Sequence, residues 1–221
     1  TLINANSDPN AQSAMADHHQ TPLHLAAYEG HAHACARLIA QGAKVNACSD
    51  DNLTPLHRAS YYHHSQACFQ LLLNGADMKI KNIHGNDAFE TIFTVMTKPR
   101  KNESFLRQLR VLLEYGADLQ GSIDEDGNTP LHYAVQCQNL ELCAQMIVLG
   151  SSINALNHAG QTPLQLAIEG TNTKIITQLV SLGASINIHN KAAKMIYSHI
   201  KQYLSLKKTA AASRICASAR G

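Results

Sequence analysis

The sequence predicts an all-α protein built as a solenoid of helix-turn-helix units, and three periodic features carry that expectation. The tetrapeptide T-P-L-H stands at Thr21–His24, Thr54–His57 and Thr129–His132, and T-P-L-Q follows at Thr162–Gln165, with spacings of 33, 75 and 33 residues. A glycine followed by a small residue recurs 21 residues after each threonine, at Gly42, Gly75, Gly150 and Gly183. Between the two signatures apolar residues fall at i, i+3 and i+4, as in Cys35, Leu38 and Ile39, in Cys68, Leu71 and Leu72, and in Cys143, Met146 and Ile147. That is the period of a helix with one buried face. A fixed period of this length denotes units that cannot bury their own apolar face and therefore stack.

Each unit opens on T-P because threonine caps a helix start and proline at the next position forfeits only a backbone donor that would have been unpaired. The leucine that follows points inward, and Ala26, Ala59, Ala134 and Ala167 keep neighbouring helices close. The terminal glycine ends the second helix by taking the left-handed conformation. The long spacing resolves once Gly85–Glu90, G-N-D-A-F-E, is aligned as a degenerate copy: Asp87 falls 33 residues after Thr54, and Gly116-Ala117-Asp118 closes the copy. Eight of its nine extra residues lie between the two helices and the ninth in the following loop. Aspartate also caps, so a helix is expected there.

At the start of the chain Leu2–Ala11 can be laid over Leu38–Ala47, which places residue 1 inside the closing helix of an earlier unit. A piece of a longer protein is the expectation. The divisions are then an upstream tail over 1–16, units over 17–49, 50–82, 83–123, 124–157 and 158–190, a capping helix over 191–207 and a flexible tail over 208–221. The capping helix is expected to pack through Ala192, Met195, Ile196, His199 and Tyr203.

The 33-residue period, T-P-L-H and the G-A-D-x-N phrase closely resemble the ankyrin repeat family over roughly residues 2–190. The resemblance implies a β-hairpin loop projecting from each helix pair, and a concave face lined by hairpin tips and first helices on which another protein is held. It implies a structural role for His24, His57 and His132, each bonding backbone in the adjacent loop. It also implies where a ligand would lie: at the two residues closing each first helix and at the hairpin tips. Carried onto this chain, those positions give Tyr28 and Glu29, Tyr61 and Tyr62 with Arg58 on the same helix, Gln136, and the tips Asp50, Asp51, His84, Asp124 and Asp126. Tyrosine clustered beside acidic groups suits an interface core, because a rigid amphipathic ring buries much area at small entropic cost. The bland reading is that the same rings pack against neighbouring loops.

The expected function is a protein-interaction module that takes a protein or peptide segment bearing basic residues, as a monomer and without a cofactor. The alternative is an accessory, recruiting region of a larger multidomain protein: an enzyme, a degradation adaptor, or a secreted bacterial effector acting in a host cell. No nucleophile, base and orienting acid fall together, and no glycine-rich phosphate cradle follows a strand, so no enzyme is expected within these residues. A formal charge of +2 with no basic cluster argues against nucleic acid. No apolar run is long enough for a membrane span, and the first residues do not read as a signal peptide. The six cysteines, at 35, 48, 68, 137, 143 and 216, form neither a C-x-x-C pair nor a secreted-type framework, which fits a reducing, cytoplasmic compartment, the host cytosol for an effector.

Thirteen histidines raise a metal site, above all through His31 with Cys35 and His64 with Cys68, which share helix faces. Cys35, Cys68 and Cys143 occupy one unit position where an aliphatic residue is usual, however, and a buried thiol behaves as a small hydrophobe. Core packing is therefore the expectation. The insertion over 94–105 carries Lys98-Pro99-Arg100-Lys101 and reads as a solvated loop, with contact to an acidic partner as the alternative.

Overall fold

The computed structural model describes residues 8–13, 18–94, 103–185, 195, 197, 198 and 200–202, and these form two compact units, Thr1–Asp118 and Leu119–Gly221. In the first unit the helices are α1 (Pro22–Tyr28), α2 (Ala32–Ala40), α3 (Pro55–Tyr61), α4 (Ser65–Leu73), α5 (Ala88–Thr94) and α6 (Glu103–Glu114). Each odd helix pairs with the even helix after it, the first helices pack in the row α1, α3, α5, and the second helices in the row α2, α4, α6. The second unit repeats the arrangement with α7 (Pro130–Gln136), α8 (Leu140–Val148), α9 (Pro163–Glu169) and α10 (Thr173–Ser181).

The period written in the sequence is the period of the contacts. Leu23, Leu56, Leu131 and Leu164, the leucines of the tetrapeptide, are all fully buried, as are Cys35, Cys68 and Cys143 on the second helices. The tetrapeptide histidines are buried too, and each joins its own helix start to the next loop. His24 Nδ1 accepts from the Thr21 N–H at 3.1 Å, while its Nε2 donates to the Leu53 carbonyl at 2.9 Å. His57 does the same with Thr54 and Asn86, and His132 with Thr129 and Gln161. Because a carbonyl can only accept, these rings are neutral and protonated on Nε2.

The degenerate copy forms its helix as expected. Asp87 Oδ1 accepts from the backbone N–H groups of Phe89 and Glu90, both at 2.9 Å, and Glu90 Oε2 accepts from Asp87 N–H at 2.7 Å, a capping box in another vocabulary.

The loops differ from a plain β-hairpin, and no strand is present among the described residues. Each loop is spanned by a backbone bond, such as Ser49 N–H to Leu53 O at 3.0 Å or Asn82 N–H to Asn86 O at 2.9 Å, with a tighter turn inside it, such as Asn52 N–H to Ser49 O. The return bond that a strand pair would take from backbone is accepted by a side chain instead: Ser49 Oγ, Asn82 Oδ1, Asp124 Oδ1 and Asn157 Oδ1 receive the N–H four residues on. Neighbouring loops are tied by single backbone bonds, among them Ile83 N–H to Asp51 O. The asparagine four residues after the helix-ending glycine supplies a further tie: Asn46 donates to Gly75 O and accepts from Asp77 N–H. Asn10 makes the same pair of bonds to Gly42 and Lys44, so the described part of the chain start follows the alignment with Leu38–Ala47.

Most of the insertion, most of the capping helix and the whole flexible tail lie outside the described residues. Met195, assigned by the sequence to the packing side of the capping helix, is 64% exposed.

Candidate functional site

Tyr28 is the last residue of α1, Tyr61 the last of α3, and Tyr62 follows it at the helix cap. A helix end is where side chains leave the packed row, and the three rings are 38%, 42% and 40% exposed. They are not separate. The Tyr28 and Tyr62 ring centroids lie 4.5 Å apart at 68°, and those of Tyr61 and Tyr62 lie 4.8 Å apart at 63°, both edge-to-face. Such pairs contribute about 0.5–1.5 kcal/mol each beyond the area they bury. Burial first, and then the Tyr28 hydroxyl beside it, push the Tyr62 hydroxyl up from its usual pKa.

The platform is braced from behind by His64, at the start of α4. Its Nε2 donates to the Tyr28 carbonyl at 2.9 Å, and its ring stacks on Tyr62 at 6.2 Å and 22°. The ring lies against Gly30, whose φ is +72°, where an added Cβ would come within 2.5 Å of it. Neither histidine–cysteine pairing raised by the sequence forms, because His31 is exposed while Cys35 is buried, and His64 is turned to Tyr28. Among the described residues no three histidine, cysteine or acidic side chains come together to hold a metal.

Beside the rings opens a cleft of about 430 Å³ between α3, the loop that follows Asn82, and α5. Arg58, Tyr61, Tyr62 and His84 line it, with Leu53 and Thr94 at its edges. Arg58, one turn before the end of α3, is half-buried, and its Nε has no hydrogen-bond partner. The carboxylates nearby are engaged: Lys81 bridges Asp87 and Glu90, at 3.6 Å from Asp87.

The structure thus brings Arg58, Tyr61, Tyr62 and His84 together, with Tyr28 joined to them through the Tyr62 ring. Glu29, Asp50 and Asp51 belong to the same unit but do not line the cleft. Asp50 faces His19, whose Nδ1 lies 2.7 Å from its carboxylate, and Asp51 offers its carbonyl to Ile83. Asp124, Asp126 and Gln136 lie in the second unit. Asp124 is occupied within its own loop, accepting from Asn128 N–H at 2.8 Å and Asn128 Nδ2 at 2.9 Å, while Asp126 and Gln136 are exposed. The sequence reading took His64 only as a partner for Cys68 and Asp124 only as a loop tip, and it missed the role of the loop-closing acceptors. A signal for the latter existed, since Ser49, Asn82, Asp124 and Asn157 keep the same period as the tetrapeptides.

Stacked helix pairs, a histidine in three of them that ties the pair to the next loop, and exposed side chains at the helix ends define a helical repeat protein. A family model described as ankyrin repeats (3 copies) matches residues 1–82 and 99–190, and the chain belongs to that family. The I-Kappa-B like protein G2 of Microplitis demolitor bracovirus (isolate Webb) is 46% identical over 56 residues, 24% of this chain. The aligned stretch spans 33% of that relative's length. Ankyrin repeats generally mediate protein–protein interaction, and proteins made of them are typically not enzymes. No described helix is long and apolar enough to cross a membrane.

Proposed function

We propose that this chain is a protein-interaction module that holds a segment of another protein against the tyrosine platform and cleft of its first unit. The observation that carries the reading is the contact of three half-exposed rings, Tyr28, Tyr61 and Tyr62, drawn from successive repeats at positions the helices do not need for packing. Rigid aromatic rings beside an arginine are the composition of interface hot spots. The module acts as a monomer and without a cofactor, in a reducing compartment of the cytoplasmic kind; the five described cysteines are all free thiols, which supports the last point.

The test is capture of partners by the intact chain, compared with the Tyr61→Ala/Tyr62→Ala variant by mass spectrometry and then by calorimetry with a partner so identified. The double variant is expected to weaken binding by about 2 kcal/mol or more while its melting temperature drops only as far as two lost ring contacts require. Undiminished affinity would assign the rings to the scaffold.

A second reading is favoured by the similarity to the bracovirus protein: an I-Kappa-B like role, in which the chain would compete with I-Kappa-B for its partner. Direct competition in solution decides it. Of the acidic loop tips that suggested a basic partner, Asp50 and Asp124 are engaged inside the molecule and lend that partner little support.

A further inference from the structure

Among the described residues Arg58 is the one permanently charged side chain lining the cleft, and no internal counterpart faces it there. Its Nε is shielded from solvent and makes no hydrogen bond, and no ion pair reaches its guanidinium among the described residues. Among the described residues no aspartate or glutamate lines the cleft. Leaving a shielded N–H of a charged group unpaired is unfavourable, and the fixed fork of a guanidinium matches a carboxylate in geometry as well as in charge. The other walls are aromatic or neutral, with Tyr61 and Tyr62 on one side and Thr91 and Thr94 of α5 on the other, and both threonine hydroxyls already donate to backbone carbonyls.

Resting on the interaction reading above, we propose that the cleft receives an acidic peptide segment of the partner, with one aspartate or glutamate carboxylate bound to Arg58 and the adjacent side chains laid on the tyrosine rings. The sign is opposite to that expected from the loop tips. A peptide fits better than a free anion for two reasons. The cleft's volume of about 430 Å³ suits several side chains, not one small ion, and the exposed ring faces of Tyr61 and Tyr62 offer apolar area that a lone anion cannot cover. A carboxylate fits better than a phosphoryl group, which commonly gathers several cations or backbone donors, because one guanidinium is present.

Selection of random displayed peptides on the intact chain tests this. The selected peptides are expected to share an aspartate or glutamate at one position. Changing that residue to its amide should weaken binding at least about tenfold. Arg58→Gln should produce a comparable loss, and the two changes together should cost little more than either alone. If Arg58→Gln compromises folding, as thermal melting would reveal, Arg58→Lys with the peptide-side amide series supplies the same comparison. Selected peptides that depend on Tyr61 and Tyr62 but carry no acid, or that bind the Arg58→Gln chain equally well, overturn the acidic anchor and leave the interaction reading standing. Repeated selections that yield no peptide overturn both. Displacement of the acidic peptide by inorganic phosphate at low concentration overturns the peptide assignment in favour of a free-anion site.

Discussion

Gln108 of α6, fully buried, is bonded on both ends of its amide: Oε1 accepts from His63 Nδ1 at 3.1 Å, and Nε2 donates to the Ser60 carbonyl at 3.1 Å. His63 and Ser60 sit where α3 gives way to α4, so one amide fastens the helix that follows the insertion to the preceding repeat. Ser104, near the start of the same helix, adds a bond from its hydroxyl to the His63 carbonyl at 2.7 Å. Gln108→Leu keeps the bulk but strands a buried carbonyl and a ring donor. A loss of about 2–4 kcal/mol is expected in urea denaturation. Unchanged stability would mean that the amide is incidental to the docking of α6.

Acid should loosen the chain at three repeated positions at once. His24, His57 and His132 are held below the usual histidine pKa of 6.5 chiefly by burial, and protonation would put a hydrogen on the Nδ1 that accepts the threonine N–H. The unfolded chain takes up protons near 6.5 while the folded chain resists them. The stability they contribute is therefore full above that pH and is lost as pH falls below it. Melting temperature is expected to be level above about pH 7 and to decline toward about pH 5. The fourth copy supplies the control, for Gln165 Oε1 accepts from Thr162 N–H at 2.9 Å without titrating. Replacing all three histidines by glutamine should flatten the decline, and an unaltered slope would place the acid sensitivity elsewhere.

Much of this was legible in the sequence because it repeats at short range. The caps, the buried leucines and cysteines, and the histidine ties each follow from a residue's place within one period, and adding the period across repeats put Tyr28 beside Tyr61 and Tyr62. Two kinds of feature escaped. The bond between His63 and Gln108 joins residues on either side of the insertion, where the register itself is broken. The isolation of Arg58 is an absence of partners among the described residues, which no spacing announces; the carboxylates of Asp87 and Glu90 are taken up by Lys81 and by the cap of α5.

Thiol reactivity should divide the cysteines by burial. Cys35, Cys68 and Cys143 are fully buried, and burial pushes their pKa up to about 11, about 12 and about 12. Thiolate, the reactive form, is thereby suppressed as well as shielded. In a Cys216→Ser background, Cys48 and Cys137, both half-buried, are expected to label in the native state well before the other three. Rapid modification of all five would show that the repeat cores open readily, and stoichiometric zinc in the purified protein would return the histidine–cysteine pairs to consideration.

In the four described turns between a first and a second helix of one repeat, the chain takes a left-handed residue, and the copies meet that requirement unequally. Gly30 takes φ +72° there, whereas His63, Gln138 and Thr171, at the same place in later repeats, take +57°, +51° and +54°. A side chain in this region is disfavoured by roughly 1–2 kcal/mol, and a β-branched one suffers most. His63 is compensated by its bond to Gln108, but Thr171 is exposed and no hydrogen bond of its side chain offsets the strain. Thr171→Gly should therefore stabilise the chain, by about 1 kcal/mol once the greater freedom of glycine in the unfolded state is deducted. The reverse exchange at the first copy should be costly, since Gly30→Ala drives a Cβ to 2.5 Å from the His64 ring that braces Tyr28 and Tyr62. Paired thermal melts of the two variants decide the matter. A destabilised Thr171→Gly would show that the threonine contributes more to the folded state than its backbone conformation takes away.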